Sequence, residues 1–390
     1  MPSGNSLSLQ SKFIIPYSMH FFKPQTKLYN IKFFLYNKRQ QTRLKTRGNV
    51  MNIYGQTLTM LQDYFKSIGE NPAKAKIVFN AIYRDKLTSF LGIKTLSMPV
   101  KTKLCKDFSI SQLELVTKSE NDSTCKYLFR LSDGHTIETV LMRHDYGNGV
   151  CISSQVGCNM NCAFCESGKL KKIRNLDTHE MVQQLLYIRD VLKIPVSHVV
   201  LMGIGEPFDN YENVMSFIDI VTEQSGIEIA TRHVTISTCG ITPKMIQYAQ
   251  RDTLNSLAIS LHAPNDALRN RLMPINKTYS IDGLIEAAKQ YSAKGKKKVT
   301  FAYIMIKGIN DSDNCALELA SLLKDLNCYV NLIPYNKTRS TNYQPSDKAR
   351  IADFFDILKK HNINVTVRRE FGSDLNAACG QLSADYKNNL

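Results

Sequence analysis

Val150-Cys151-Ile152-Ser153-Ser154-Gln155-Val156-Gly157-Cys158-Asn159-Met160-Asn161-Cys162-Ala163-Phe164-Cys165 is the stretch on which the reading of this chain turns. A short β-type run leads into a loop with cysteines at 158, 162 and 165. The ten residues after Cys165 contain no further Cys or His. Iron–sulfur clusters are held by cysteine thiolates, four for a cubane. Three close ligands fill three irons and leave one open to bind something else. Zinc is the competing reading, but a structural zinc site is closed by four ligands, and this loop offers three.

Outward from the loop the pattern is strand, loop, helix, repeated. Strand-like runs fall at 151–155, 198–203, 233–237, 256–262, 299–306, 330–334 and 364–368, with helix-like text between them, as at 178–192 and 281–291. Such alternation predicts βαβ units and a parallel sheet. Six or seven units are too few for a closed eight-stranded barrel. The expectation is an α/β fold, a partial (β/α)6-type barrel over residues 149–370.

Ligands of parallel α/β folds gather at the carboxyl ends of the strands. The second run ends in Met202-Gly203-Ile204-Gly205-Glu206-Pro207, where glycines permit close backbone approach and Glu206 offers an acceptor for an ammonium group. Alone, that text also reads as an ordinary βα turn. The third ends in Ser237-Thr238-Cys239-Gly240, the fourth in Ser260-Leu261-His262 and the sixth in Pro334-Tyr335-Asn336. A lone His at such a rim is more often structural than a ligand. With the cysteine loop, five strand ends carry groups that can meet at one ligand. Past the last run, Cys379 stands in Ala377-Ala378-Cys379-Gly380-Gln381-Leu382; its small neighbours suit a mobile thiol, and buried packing is the alternative. Cys151 is open to both readings.

Residues 51–110 read as a small helical accessory domain. Leu58, Leu61, Tyr64, Phe65 and Ile68 recur at helical spacing, and Asn71-Pro72 resembles an N-cap and first turn. Residues 111–148 read as a β-hairpin connector turning at Ser132-Asp133-Gly134, and 371–390 as a C-terminal loop. Residues 1–50 hold nine Lys and Arg and no acid, out of a net charge of +16 for the 390 residues. This leader is expected to be disordered or not translated, with synthesis starting at Met51; a transit peptide and an RNA-binding tail are the other readings. Basic charge points to a polyanion such as RNA. No apolar run is long enough to span a membrane, and ten cysteines in a chain of this length do not resemble a secreted disulfide framework. A cytoplasmic monomer is expected. Packing is the expected fate of Cys105, Cys125, Cys239, Cys315 and Cys328.

Taken together, Cys-Ile-Ser-Ser-Gln-Val-Gly-Cys with Cys-Ala-Phe-Cys, then Met-Gly-Ile-Gly-Glu-Pro, Val-Thr-Ile-Ser-Thr, Ile-Ser-Leu-His-Ala-Pro-Asn, Asn-Leu-Ile-Pro-Tyr-Asn and Ala-Ala-Cys-Gly-Gln-Leu closely resemble the RlmN family of radical S-adenosylmethionine RNA methyltransferases. The Cfr enzymes are its sister group. The match runs from about Met51 to Leu382; Glu166-Ser167-Gly168 departs from the commoner family text. The resemblance implies a 4Fe–4S cluster on Cys158, Cys162 and Cys165. It implies S-adenosylmethionine, two per turnover, contacted by Gly205, Glu206, Ser237, Ser260, Leu261, His262 and Asn336. It further implies that Cys379 is first methylated, that a 5′-deoxyadenosyl radical then takes hydrogen from that methyl group, and that the resulting carbon radical adds to adenine. Glu138 matches the family's proton acceptor and Cys151 its resolving thiol, which forms a disulfide with Cys379.

The implied substrate is carbon 2 of an adenosine in the peptidyl transferase centre of 23S rRNA, with adenosine 37 of tRNA as a second target and an electron donor such as flavodoxin or ferredoxin. Cfr-type methylation of carbon 8 is the near alternative, opposed by Pro207, where the Cfr pattern has Ala. A non-catalytic, metal-stapled RNA-binding protein would explain the charge and three cysteines but not Cys379. A glycyl-radical activase would leave Cys151 and Cys379 without a role.

Overall fold

The computed structural model describes residues 50–251, 255–295, 297–338 and 341–368. Residues 1–49 and 369–390, the latter with Cys379 and the expected C-terminal loop, lie outside the described residues. Ten strands form one sheet, in the order β14-β13-β12-β11-β10-β9-β6-β5-β4-β3. Seven of them are parallel: β6 (Gly147–Cys151), β9 (His198–Leu201), β10 (Val234–Thr238), β11 (Ser256–Ser260), β12 (Val299–Met305), β13 (Cys328–Pro334) and β14 (Val365–Val367). β3 (Glu114–Glu120), β4 (Thr124–Arg130) and β5 (Thr136–His144) continue the sheet antiparallel beyond β6. The expected hairpin is therefore part of the main sheet, because β5 pairs in register with β6 (Val140 with Cys151).

Crossovers between the parallel strands are helical. They are supplied by α4 (Thr178–Leu186), α5 (Tyr211–Thr222), α6 (Thr242–Ala249), α7 (Asp266–Leu272) with α8 (Ile281–Gly295), α9 (Asp313–Leu323) and α10 (Lys348–Lys360). Among the described residues β6 and β14 do not pair, so the sheet is open, as the count of units predicts. β12 alternates buried and half-buried residues along its length, Val299, Phe301, Tyr303 and Met305 turning inward.

Before the sheet come β1 (Met51–Asn52), α1 (Leu58–Ser67), α2 (Lys74–Tyr83), α3 (Met98–Asp107) and β2 (Phe108–Ser109). The Thr57 hydroxyl caps α1 by accepting from the Met60 amide at 3.2 Å. Asn71 does not cap α2 directly; its side chain accepts from the Ala73 amide at 2.9 Å, and the helix starts at Lys74. These helices share one apolar core with the sheet: Phe65, Phe79 and Leu104 belong to the same buried cluster as Val150, Ile236 and Phe301. Arg189, in a one-turn π segment (Tyr187–Val191) that extends α4, donates to the Tyr83 carbonyl at 2.8 Å and fastens α2 to the sheet's helical layer.

Candidate active site

A short ladder closes the cysteine loop. β7 (Gln155–Val156) pairs antiparallel with β8 (Arg174–Asn175), so residues 157–173 leave and return at one point on the rim. The sequence suggests a strand at 151–155; the regular ladder with β9 ends at Cys151, but the backbone stays bonded to the segment after β9, Ile152 N donating to Val200 O (2.9 Å), Gly203 N to Ile152 O (3.1 Å) and Ser154 N to Ile204 O (2.9 Å), before β7 opens a second ladder with β8. Gly157 has φ +76°, and a Cβ there would meet the Lys171 and Leu170 carbonyl oxygens at 2.3 and 2.6 Å. Inside the loop the Cys158 amide donates to Leu170 O (2.7 Å), Cys165 N to Cys162 O (3.1 Å), Gly168 N to Cys165 O (3.2 Å) and Ala163 N to Leu272 O of α7 (2.8 Å).

The glycines of the second strand end face the protein. A Cβ on Gly203 would lie 2.7 Å from Ser153 N, and one on Gly205 (φ +112°) 2.6 Å from Gln155 Cβ. Their smallness lets this loop lie flat on residues 152–155. Glu206 is buried and already holds three donors: Phe208 N (3.0 Å) and Thr238 Oγ1 (2.7 Å) on one oxygen, Cys239 N (2.8 Å) on the other. The Cys239 thiol also bonds this carboxylate, so its roughly four lone-pair sites are largely taken from within the protein. Burial pushes its carboxyl pKa up, against the pull of those donors.

Next along the rim, Ser237 and Ser260 are half-buried and Leu261 fully buried. His262 sits in the left-handed region at φ +59°. Its Nδ1 accepts from Ile304 N at 3.0 Å, and its ring meets Phe164 of the cysteine loop edge-on, centroids 4.8 Å apart. Burial pulls the imidazole pKa down to about 3, so it is neutral. Asn336 follows β13, half-buried. Cys151 ends β6 and is buried. Glu138 is buried on β5, and its carbonyl accepts from Ser153 Oγ at 2.5 Å, which places its strand beside the end of β6. The structure thus ties Glu206 to the end of β10, His262 to the cysteine loop and the Glu138 backbone to Ser153; Ser237, Ser260, Leu261 and Asn336 end or follow parallel strands of the same sheet, and Cys379 lies outside the described residues.

Several residues hold this rim without having announced themselves in the sequence. Gln184, fully buried on α4, accepts from Ser153 N (2.9 Å) and Thr139 Oγ1 (2.8 Å) and donates to Ser153 O (3.0 Å). Gln155 accepts from Glu206 N at 2.9 Å and donates to Asn175 and Asp209. Asn310 bridges His262 O and Ile304 O. A polar residue on an otherwise buried helix face was the available signal for Gln184. Cys239 is buried beside Cys162, as packing predicts, whereas Cys105 is exposed and packing does not account for it.

The donor chemistry fits an iron–sulfur cluster. Burial first, and then the charge of Cys165 on both, push the thiols of Cys158 (to about 12) and Cys162 up, so the three cysteines of the loop act on one another. Iron coordination supplies what such thiols need in order to ionise. Among the described residues no three His, Cys, Asp or Glu side chains form a group that could hold a single ion; a cubane instead distributes its cysteines over separate irons. The turn Ser167–Lys169 follows the third cysteine, and Ser167 Oγ is buried without a hydrogen-bond partner.

A family model described as the Radical SAM superfamily matches residues 152–320. Proteins named probable dual-specificity RNA methyltransferase RlmN are similar over nearly their whole length. That of Spiroplasma citri is 47% identical over 337 residues, 85% of this chain and 97% of the relative. That of Staphylococcus carnosus is 44% identical over 353 residues, 89% and 96%. The chain belongs to the RlmN family. A crystal structure of a radical SAM methyltransferase from Sphaerobacter thermophilus matches with a TM-score of 0.78 at 38% identity, covering 85% of this chain and 98% of that one. This RlmN-family chain is accordingly an S-adenosylmethionine-dependent RNA methyltransferase of the radical SAM class.

Proposed function

We propose that the enzyme methylates carbon 2 of an adenosine in the peptidyl transferase centre of 23S rRNA, and adenosine 37 of tRNA, by way of a methylated Cys379. The observation that carries this reading is the neighbourhood of Cys151, Glu138 and the three-cysteine loop: a buried thiol and a buried carboxylate stand where an ordinary methyltransferase needs neither. Carbon 2 of adenine lacks useful nucleophilicity, so direct displacement by S-adenosylmethionine should fail. When bound, a 4Fe–4S cluster on Cys158, Cys162 and Cys165 together with S-adenosylmethionine would supply a 5′-deoxyadenosyl radical.

The chain's own residues do the rest. Cys379 thiolate takes a methyl group from one S-adenosylmethionine, forming a carbon–sulfur bond as the sulfonium becomes a thioether. Gly205, Glu206, Ser237, Ser260, Leu261, His262 and Asn336 line the second S-adenosylmethionine. Glu138 accepts the proton lost from the modified carbon as the adduct's odd electron returns to the electron-transfer system that supplied it, leaving a closed-shell thioether. Cys151 attacks the Cys379 sulfur; an S–S bond forms as the bond from sulfur to the RNA-linked carbon breaks, and that carbon takes up a proton to become methyl. Basic surface outside the rim holds RNA through phosphates, and the target base leaves its stack at a cost of a few kcal/mol. An electron donor of the flavodoxin or ferredoxin type and action as a cytoplasmic monomer complete the reading; among the described residues no helix is long and apolar enough to cross a membrane.

The test is Cys151→Ala with rRNA under anaerobic turnover. The reading expects an RNA–protein crosslink through Cys379, seen as a shifted band on a denaturing gel and absent from Cys151→Ala/Cys379→Ala. Normal turnover by Cys151→Ala would remove the resolving role.

A further inference from the structure

Arg269, one turn before the end of α7, is 0% exposed. Its guanidinium donates from Nε to Leu261 O (3.2 Å), from Nη1 to Asn276 Oδ1 (2.7 Å), and from Nη2 to Cys239 O (2.6 Å) and Ser260 O (3.1 Å). All four acceptors are uncharged oxygens. Asp266, the carboxylate whose charge acts on it, is exposed and reached only through Asn276. A buried cation without an ion-pair partner is expensive, even when its hydrogen bonds are satisfied. A neutral amide would bond some of the same carbonyls at less cost, so the charge itself calls for an explanation.

The surroundings point to one. The cysteine loop is bonded to the last residue of α7 through Ala163 N and Leu272 O (2.8 Å). Cys239, whose carbonyl Arg269 holds, packs in one apolar group with Cys162 and Phe164, and the guanidinium's field acts on both the Cys162 and Cys239 sulfurs. Three thiolates on a cubane would make that location anionic, and more so once reduced. We propose that Arg269 is the buried counter-cation of the iron–sulfur centre, a positioning residue that fixes the ends of β10 and β11 and favours the reduced cluster. In a low-dielectric surrounding a fixed positive charge stabilises the more negative redox state, which raises the potential. This inference rests on the cluster reading above.

The experiment uses the full chain, reconstituted anaerobically with iron and sulfide, with iron counted before an EPR-monitored redox titration. Arg269→Gln is expected to hold iron but to titrate lower, by about tenfold in the reduced-to-oxidised ratio at fixed potential, about 59 mV for a one-electron couple. Arg269→Lys keeps the charge and is expected to shift by less than half as much. Asp266→Asn, at an exposed position, removes an opposing charge and is expected to move the potential slightly upward. An unmoved potential in iron-loaded Arg269→Gln, or an equal fall in Arg269→Lys, overturns the proposal in favour of a purely structural clamp. Should Arg269→Gln take up no iron, Asp266→Asn decides, and an unchanged or lowered potential there overturns it. Wild-type protein without iron would instead sink the cluster reading itself.

Discussion

Two side chains at the rim make opposite predictions about charge. His262 accepts a backbone hydrogen bond as a neutral ring, its pKa held at about 3 against an ordinary 6.5. Between those values the unfolded chain binds a proton that the folded chain refuses, so this contribution is fully present above pH 6.5 and is lost as pH falls toward 3. Stability should drop by about 1.4 kcal/mol per pH unit from this group in that window; thermal melts of wild type and His262→Asn between pH 7.5 and 5.5 should show a flatter profile in the variant. A cysteine ligand answers to metal instead. Cys158→Ala should lose the brown chromophore and iron together, while Cys379→Ala should keep both and transfer no methyl group. Retention of full iron by Cys158→Ala would remove that residue from the ligand set.

At the level of elements, the loop after β9 lies on residues 152–155 because two of its residues have no side chain. Gly205→Ala should therefore destabilise the fold by ~2 kcal/mol or more, from a Cβ 2.6 Å from Gln155 and an alanine at φ +112°. Gly134 is the control: it too has positive φ (+86°) but open space around it, so Gly134→Ala carries only the backbone strain. Denaturant melts that rank the two variants equally would contradict the close-packing account. The strands were legible because β-branched runs ended at Gly, Ser or Asn. Their bounds shift by up to four residues, most at the first strand, where the ladder ends at Cys151 while irregular backbone bonds continue to Gln155. β3 and α3 escaped the reading: β3 is a largely exposed edge strand with charged residues, and α3 has a weak apolar face. Gln184, Gln155 and Arg269 escaped because a buried polar side chain declares its partners only in three dimensions.

For the whole molecule, the repeat count predicts the open parallel sheet, and residues of the helical segment and the hairpin pack into the same apolar cluster as the parallel strands. The modules share one interior, so a fragment starting near residue 149 would lose the β5 partner of β6 and should not fold as the full chain does. Net charge of +16 suits a polyanionic substrate. Binding of rRNA fragments should weaken steeply with salt, with log K falling linearly against log salt at about −0.7 to −0.9 per phosphate contact. Salt-independent binding would remove the electrostatic account of RNA capture. The central claim is chemical. The direct measurement is mass-spectrometric mapping of 23S rRNA after anaerobic turnover with methyl-labelled S-adenosylmethionine. The account predicts a single labelled adenosine in the peptidyl transferase centre methylated at carbon 2, and product at carbon 8 would contradict it.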